Sequence, residues 1–310
     1  MKTALGILLL CGGALLLGSC TENTAEEVTQ QVLATYQLQA TPDFNGENAY
    51  LHCAELCHIG PRPSGSAGYE QQLQYLTKHL QACGWRVERQ SFTAPHGVQM
   101  TNLHAFYGES ADARPLIVSC HIDTKIGISD DFVGADDGAS GAAVLLETAR
   151  ILANEPQLAA GVELVFFDGE EAVAPRMTET DGLYGSRYDV QRRGAALPRF
   201  MINLDMVGAR NKTIMVPIFD SSPVLVEAYE AAVKELGLND KKWTITDDEY
   251  WDDDRYFREA GVATINLICD FVGSIWWHTP RDNMKRICPK SLHESGLVTL
   301  ALIRRVLAMQ

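Results

Sequence analysis

The sequence has little positive charge for its length, with 26 lysine and arginine residues against 40 aspartate and glutamate residues among 310. The formal net charge at pH 7 is −14. Proteins that bind nucleic acid need a basic face to displace counterions from phosphate, so this balance argues against a nucleic-acid partner. Apolar residues make up 46% of the chain, which is enough to build a full core and excludes a disordered or fibrous protein.

The N-terminus also lacks an apolar run of membrane-spanning length. The run from Ala4 to Leu17 is 14 residues long, whereas a spanning helix needs about 20. Together with Met1-Lys2 it forms the pattern of an export signal, and Leu17-Gly18-Ser19-Cys20 resembles the lipobox of bacterial lipoproteins. We predict cleavage before Cys20 and a lipid on that cysteine, with an uncleaved anchor or a plain secretory signal as the alternatives.

This prediction divides the chain into three parts. Residues 1–19 are a lipoprotein signal peptide, 20–40 are a tether that contains a first helix at 25–37, and 41–310 form one folded domain. Export and lipidation predict a bacterial cell-envelope location, facing the periplasm or the surface. The predicted contact with the membrane is the lipid on Cys20.

No cysteine pair has the CxxC spacing of a zinc thiolate site. The sequence has eight cysteines, of which Cys11 leaves with the signal peptide and Cys20 is the lipid acceptor. The six that remain are Cys53, Cys57, Cys83, Cys120, Cys269 and Cys288. An exported protein can form one or two disulfides from these, but the sequence alone does not pair them.

Short apolar runs separated by helical patterns predict the fold. The strand-like runs are 86–93, 115–120, 162–168, 200–205 and 263–269, and the helical patterns are 142–152, 223–236 and 291–309. Residues 169–199 are predicted as a long loop. The sequence therefore predicts a single-domain α/β fold with an open, mixed, mostly parallel sheet and helices on both faces.

Acidic and imidazole side chains follow the predicted strands directly. They are His121 and Asp123 after 115–120, Glu170 and Glu171 after 162–168, Asp205 at the end of 200–205, and His278 soon after 263–269. Asp136 and Asp137 lie in a glycine-rich loop and can join them. Because ligands bind at the carboxyl ends of strands in open α/β sheets, we expect these groups to converge on one crevice.

The adjacent carboxylates Glu170 and Glu171 lie between apolar segments, which argues against full exposure of both. Burying two adjacent carboxylates without a cation costs on the order of several kcal/mol. A metal ion is therefore the most economical partner for this cluster. A donor set of nitrogen and oxygen without thiolate suits zinc with an open coordination position.

Five sequence blocks resemble, in order, the motifs of zinc-dependent exopeptidases of the bacterial aminopeptidase type. They are SCHIDTK, GADDGASG, FFDGEEA, INLDMVGA and WHTPRDN. Within that superfamily, DGLYGSRY (181–188), Trp277-His278 and Asp252-Asp253 are similar to marks of the glutaminyl cyclases. Those enzymes convert an N-terminal glutamine into pyroglutamate and release ammonia. The resemblance implies a cyclotransferase domain over 41–310 and peptides or proteins with an N-terminal glutamine as substrates.

The resemblance also implies a metal site. The cyclases hold one zinc ion through an aspartate, a glutamate and a histidine, and these fall on Asp137, Glu171 and His278. Asp137 is preferred to Asp136 because the family's ligand is the fourth residue of its GxxD block. One zinc ion is therefore expected.

The same comparison implies roles for four further side chains. Glu170 matches the general acid/base, and Trp277 matches the ring that lines the substrate pocket. Asp205 and Asp252 match hydrogen-bonded aspartates beside the acid/base. Three alternatives stay open: Asp252 as part of a solvated acidic loop, Trp277 as a core residue and Asp205 as a metal ligand.

Two other functions remain possible at this stage. A two-zinc aminopeptidase would add His121 and Asp205 to the ligands, and both positions are present. A non-catalytic binding lipoprotein is disfavoured, because binding alone does not require Glu170. The chain also departs from the family: Arg176 stands where some cyclases carry a pocket tryptophan, which Trp243 or Trp251 could replace. Cys120 lacks the disulfide partner of animal cyclases, since the matching position is Ala142.

Overall fold

A computed structural model describes residues 38–39, 41–109 and 114–309. The predicted signal peptide, Cys20 and the predicted helix at 25–37 lie outside the described residues. None of the helices in the described ranges has the length and apolarity that a membrane span requires. All six cysteines of the predicted mature domain are described, and all six are free thiols.

Within the described residues, eight strands form one mixed sheet. They are β1 (Trp85–Thr93), β2 (Gln99–Tyr107), β3 (Leu116–His121), β4 (Val162–Phe167), β5 (Phe200–Asp205), β6 (Ile214–Pro217), β7 (Trp243–Thr246) and β8 (Ala263–Cys269). Their order across the sheet is β1-β2-β4-β3-β5-β8-β6-β7. The central strands β4, β3, β5 and β8 are parallel, and β2 and β6 pair antiparallel at their flanks. This confirms the predicted mixed, mostly parallel sheet.

Helices cover both faces of the sheet. In the described ranges they are α1 (Gly46–Ile59), α2 (Ala67–Ala82), α3 (Ala139–Leu152), α4 (Pro156–Ala159), α5 (Tyr184–Arg193), α6 (Pro223–Glu235), α7 (Asp254–Glu259) and α8 (Pro289–Leu307). α1, α3 and α8 pack against one another, α6 packs against α8, and α5 packs against α7.

The two faces follow from alternation along the strands. In β3, Leu116, Val118 and Cys120 join the large core that α1, α3 and α8 cover. Ile117 points the other way and joins a smaller core with Phe257 of α7. Successive side chains of a strand point to opposite faces, so a continuous apolar run is the expected sequence of a strand buried on both sides.

The predicted loop over 169–199 is wrong in part, because α5 forms inside it. Apart from Tyr184 at its first position, the buried residues of α5 are small or polar, namely Gly185, Ser186 and Asp189. A Cβ atom on Gly185 would lie 2.4 Å from the Oδ1 atom of Asn102, so the helix packs closely on β2. A helix whose buried stripe contains few apolar residues gives almost no periodic signal in the sequence.

The Gly/Pro/Ser loop before α2 is anchored to the loop that precedes α3. Ser66 caps α2 by accepting a hydrogen bond from Tyr69 N at 3.0 Å. Arg62 of the same loop is fully buried, and its guanidinium donates to the carbonyl oxygens of Val133 and Gly134 at 2.8 and 3.2 Å. This arginine therefore fixes the start of the glycine-rich loop that contains Asp137.

Candidate active site

The parallel strands bring the predicted side chains to one edge of the sheet. His121 ends β3 and Asp205 ends β5, while Glu170 and Glu171 follow β4 closely. A cavity of about 590 Å³ opens at this edge. Six of the seven predicted site residues line it, namely Asp137, Glu170, Glu171, Asp205, Trp277 and His278. The seventh, Asp252, is not part of the lining.

The three predicted zinc ligands lie together. One donor atom from each of Asp137, Glu171 and His278 falls within 4.8 Å of the others. The Nε2 atom of His278 lies 3.0 Å from Glu171 Oε1 and 3.4 Å from Asp137 Oδ2. This arrangement of nitrogen and oxygen donors can hold a zinc ion. That these residues are ligands remains a prediction.

A second group of donors shares Asp137 with the first. It consists of His121, Asp137 and Asp205, again within 4.8 Å. The Nε2 atom of His121 lies 3.2 Å from Asp137 Oδ1 and 3.3 Å from Asp205 Oδ1. The two carboxylate oxygens of Asp137 therefore face different histidines. This geometry offers two adjacent cation positions, as the two-zinc alternative requires.

Asp136 is occupied elsewhere, although it neighbours Asp137 in the sequence. Its Oδ1 atom accepts a hydrogen bond from Gly208 N at 2.8 Å, and its Oδ2 atom pairs with the ammonium group of Lys212. Asp136 therefore joins the loop after β5 to the glycine-rich loop. The position of the two carboxylates agrees with the choice of Asp137 as the candidate ligand.

Two glycines allow the loop to turn around Asp137. Gly134 and Gly138 have φ angles of +50° and +100°, which residues with a side chain rarely adopt. A Cβ atom on Gly134 would lie 2.4 Å from the carbonyl oxygen of Asp137, and one on Gly138 would lie 2.9 Å from that of Asp123. The glycines of VGADDGASG are thus required for close packing beneath the site.

Asp282 fixes the backbone of this loop from the opposite side. Its carboxylate oxygens accept hydrogen bonds from Asp136 N at 2.9 Å and Asp137 N at 3.0 Å, and its side chain is fully buried. Because Asp282 lies four residues after His278, it couples the histidine loop to the aspartate loop. Sequence reasoning assigned no role to Asp282, since a side chain that accepts backbone N–H groups leaves no pattern in the sequence.

Asp123 organises the glutamate pair in a similar way. Its two carboxylate oxygens accept hydrogen bonds from Glu170 N at 3.1 Å and Glu171 N at 3.2 Å. Its Oδ1 atom also lies 3.5 Å from His121 Nδ1. Asp123 therefore fixes the backbone of the glutamate loop and contacts the imidazole at the end of β3, a role that the sequence did not specify.

Glu170 borders the cavity with its side chain only partly covered. Burial raises the pKa of its carboxyl well above the ordinary value, and the negative charges of Glu171, Asp252 and Asp253 raise the pKa further, while His121 opposes them. A carboxyl group that holds its proton more strongly than usual can both accept and return a proton near neutral pH.

Asp205 and Asp252 lie close enough to influence each other's charge. Burial is the largest cause that raises the pKa of Asp205 to about 7, and the charge of Asp252 adds to it, whereas the hydrogen bond with His121 lowers it. Asp252 is 2% exposed and accepts hydrogen bonds from Asn266 Nδ2 at 2.8 Å and Asp253 N at 2.7 Å. The solvated-loop alternative for Asp252 is therefore wrong.

Trp277 lies on the cavity wall rather than in the core. Its side chain is 38% exposed, and its ring stacks on His278 with 4.0 Å between the centroids. Its neighbour Trp276 is the buried one of the pair, at 5% exposure. The core alternative therefore applies to Trp276. His278 has a φ angle of +51°, an uncommon conformation of the kind that is found at functional sites.

Trp243 and Trp251 are the two residues that could replace the pocket tryptophan of the cyclases. Trp251 lines the cavity and is exposed, as is Arg176, which also lines it. Trp243 begins β7 and is buried in the core at 5% exposure. Trp243 is therefore excluded as a wall of this cavity.

Comparison with known proteins identifies relatives among the glutaminyl cyclases and among the aminopeptidases. Residues 102–303 match peptidase family M28. A glutaminyl-peptide cyclotransferase-like protein of Bos taurus is 30% identical over 282 residues, which cover 80% of this chain and 73% of that protein. A glutaminyl cyclase structure from Porphyromonas gingivalis is 28% identical with a TM-score of 0.77, covering 86% of this chain and 99% of that one.

A peptidase structure is almost as similar. The leucine aminopeptidase precursor from Bacteroides thetaiotaomicron is 26% identical, with a TM-score of 0.76 and coverage of 86% of this chain and 99% of that one. Fold similarity therefore does not separate the two activities. The distinction depends on the cavity and its side chains.

Proposed function

This chain belongs to peptidase family M28 and to the glutaminyl-peptide cyclotransferases within it, and we propose that it converts the N-terminal glutamine of peptides or proteins into pyroglutamate with release of ammonia. The observation that carries this proposal is the position of Glu170. The carboxyl group of Glu170 borders the same cavity as the donor group of Asp137, Glu171 and His278.

The donor group fits one zinc ion. Asp137 Oδ2 is buried, and within the described residues it has no hydrogen-bond partner, while His278 Nε2 lies 3.4 Å away. Buried carboxylate oxygens without partners are costly unless a cation balances them. We therefore propose that Asp137, Glu171 and His278 hold one zinc ion. A zinc ion bound there supplies a Lewis acid for the carbonyl of the substrate's side-chain amide.

The chain's own residues carry the proton transfers. The substrate's α-amine attacks the carbon of its own side-chain amide, so the protein has no second substrate to bind and has to orient these two groups. Glu170 accepts the proton that the amine loses as the new C–N bond forms. It then donates that proton to the amide nitrogen, which leaves as ammonia when its bond to carbon breaks. One carboxyl group thus serves as base and then as acid.

Trp277 and Asp205 complete the proposed site. Trp277 lines the cavity and its ring stacks on His278, so we propose that it limits how the glutamine can enter and restrains the imidazole. Asp205 accepts a hydrogen bond from His121 and lies in the electrostatic field of Asp252. We propose that Asp205 and Asp252 act on Glu170 through their charge, with Asp252 outside the cavity.

The second candidate function is a two-zinc aminopeptidase, which the group of His121, Asp137 and Asp205 favours. In that case, activated water would attack the peptide bond, and free amino acids would result.

One reaction separates the two functions. The zinc-loaded protein is incubated with a peptide amide that begins with glutamine, and the products are identified by mass spectrometry. The cyclase produces a peptide that is lighter by one ammonia, together with ammonia in equal amount. Release of free glutamine with a shortened peptide would overturn the proposal in favour of the aminopeptidase.

We also propose that the enzyme is held at the bacterial cell envelope by a lipid on Cys20. The support is the N-terminal charged residue, the apolar run and the Leu-Gly-Ser-Cys sequence, which lie outside the described residues. This proposal is independent of the catalytic one and has its own test below.

A further inference from the structure

Trp251 is an aromatic residue of the cavity that the proposed reaction does not use. It lies between β7 and α7, its side chain is 43% exposed, and it lines the cavity together with the metal-site residues. We propose that Trp251, positioned by Arg255, forms the wall on which the second residue of the substrate packs, and that it selects substrates with a large apolar residue after the glutamine. This inference rests on the proposed cyclase function.

The depth of the cavity determines which substrate residue reaches Trp251. The donor groups of Asp137, Glu171 and Asp205 are buried, whereas Arg176 and Trp251 are exposed. Reaction at the buried end requires the N-terminal glutamine to occupy that end. The residue that follows must therefore lie nearer the exposed end, where Trp251 offers an indole ring.

The ring of Trp251 is held by a fixed arginine. The guanidinium carbon of Arg255 lies 3.9 Å from the centroid of the Trp251 ring, within the range of a cation–π contact. Arg255 Nη2 donates to Glu179 at 3.0 and 3.2 Å, and Arg255 Nε donates to Glu259 at 2.9 Å. The arginine side chain is only 14% exposed, so its orientation is restrained on both sides.

Arg255, Glu179 and Glu259 together form a clamp on Trp251, and Glu179 connects it to a second segment of the chain. Glu179 belongs to the segment between β4 and α5 that also contains Arg176, while Trp251 lies just before α7 and Arg255 lies in the first turn of α7. Arg187 of α5 adds a hydrogen bond to the carbonyl oxygen of Glu179 at 3.1 Å. Arg255 is therefore a positioning residue: it touches Trp251 and the neighbouring loop, but it does not line the cavity.

The charge of the cavity argues for an apolar rather than an acidic second residue. Besides Tyr250 and His278, the ionisable side chains of the lining are Asp137, Glu170, Glu171, Asp205 and Glu249, which are acidic, and Lys125 and Arg176, which are basic. Lys125 is already engaged, since it donates to Ala172 O at 2.5 Å and Ala174 O at 2.9 Å. An acidic side chain would meet a predominance of like charge, whereas a phenyl ring can stack on the indole.

The test compares three peptide amides that differ only in the second residue: Gln-Phe-Ala, Gln-Ala-Ala and Gln-Glu-Ala. The zinc-loaded wild-type protein should show the highest kcat/KM with the phenylalanine peptide. Trp251→Ala should raise the KM for that peptide about tenfold at nearly unchanged kcat, because an aromatic contact is lost. The same variant should raise the KM for the alanine peptide much less, because a methyl group makes little contact with the ring, and Trp251→Phe should restore most of the preference.

Variants of the clamp test the positioning role of Arg255. Arg255→Leu should reduce the preference for phenylalanine over alanine by about threefold, and Arg255→Lys should restore part of it, because a cation again faces the ring. Phe219→Ala is the matched control, since Phe219 is 64% exposed and does not line the cavity. It should leave all three peptides unchanged.

The outcomes separate this inference from the function on which it rests. The inference alone is overturned if the wild type cyclises the peptides and Trp251→Ala keeps the wild-type ratio of kcat/KM for the phenylalanine peptide to kcat/KM for the alanine peptide. Release of free glutamine by the wild type overturns the cyclase function, and the inference with it. A wild-type preference for the glutamate peptide also contradicts the inference, because Arg176 would then set the specificity.

Discussion

At the scale of single residues, Asp137 is the point at which the two donor groups meet. One of its oxygens faces His278 and the other faces His121, at 3.4 and 3.2 Å. The sequence predicted this convergence because apolar runs end directly before charged groups, and parallel strands bring such ends to one edge. It could not predict the roles of Asp123 and Asp282, whose carboxylates accept backbone N–H groups and so depend on the folded loops.

Glu170→Gln tests the acid/base role. We expect kcat to fall by about 10³-fold, because the amide side chain can neither accept nor return the proton. Zinc content per chain should stay at the wild-type value, since Glu170 belongs to neither donor group. Steady-state kinetics and metal analysis of the same sample measure both. Glu249→Gln, an exposed carboxylate of the same cavity, is the control. If Glu170→Gln kept full activity, Glu170 would not be the general acid/base.

Asp282→Asn tests whether the backbone beneath Asp137 controls the metal. An asparagine carbonyl can accept one of the two N–H groups well, but its NH₂ group faces the other, so the loop should shift. We expect zinc affinity to fall about 10- to 100-fold, as outer-shell changes at metal sites do. Competition with a chelator measures the affinity, and Asp270→Asn, at an exposed position, is the control. An unchanged dissociation constant would limit Asp282 to a structural role.

At the scale of elements, the sequence predicted those strands and helices that bury continuous apolar surface. β3, β4, β5 and β8 lie where the apolar runs are, and α8 follows the long apolar-faced pattern at the C-terminus. α5 was missed because Tyr184 is the one large side chain among its buried residues, and the others are glycine, serine and aspartate. Its position depends on tertiary contact with β2 rather than on local periodicity, and such contacts leave no signal in a single sequence.

Packing between α1 and α2 predicts a dependence of stability on pH. His52 of α1 is buried and bonded to the hydroxyl of Tyr75 at 2.7 Å. Burial lowers its pKa from the ordinary 6.5 to about 3, and the nearby His79 and Arg150 lower it further. The unfolded chain therefore binds a proton that the folded chain resists. This contribution to stability is complete above pH 6.5 and is lost progressively as the pH falls toward 3.

Between pH 7.5 and pH 5, this one group should cost about 2 kcal/mol of the free energy of unfolding. The free energy of unfolding of His52→Gln should therefore fall by about 2 kcal/mol less than that of the wild type between these two pH values. Urea denaturation at pH 7.5 and pH 5 measures both falls. The exposed His96 provides the control, as His96→Gln should keep the wild-type fall. The same fall in His52→Gln as in wild type would contradict the assignment.

At the scale of the whole molecule, the N-terminal pattern concerns location rather than chemistry. The proposed lipid on Cys20 predicts that the full-length protein enters the membrane fraction of an expressing bacterium and incorporates labelled palmitate. Cys20→Ala should abolish the label, because the thiol that accepts the lipid is gone. Cys11→Ala is the matched control, since Cys11 lies within the predicted signal peptide. Equal labelling of wild type and Cys20→Ala would exclude the anchor.

The central claim is that the shared edge of the sheet holds one zinc ion beside Glu170. An anomalous difference map of zinc-loaded crystals, recorded at the zinc absorption edge, tests this without reference to activity. The account predicts a single peak at about 2.0–2.2 Å from donor atoms of Asp137, Glu171 and His278. Two peaks on either side of Asp137, or a peak bound by His121 and Asp205 alone, would contradict it.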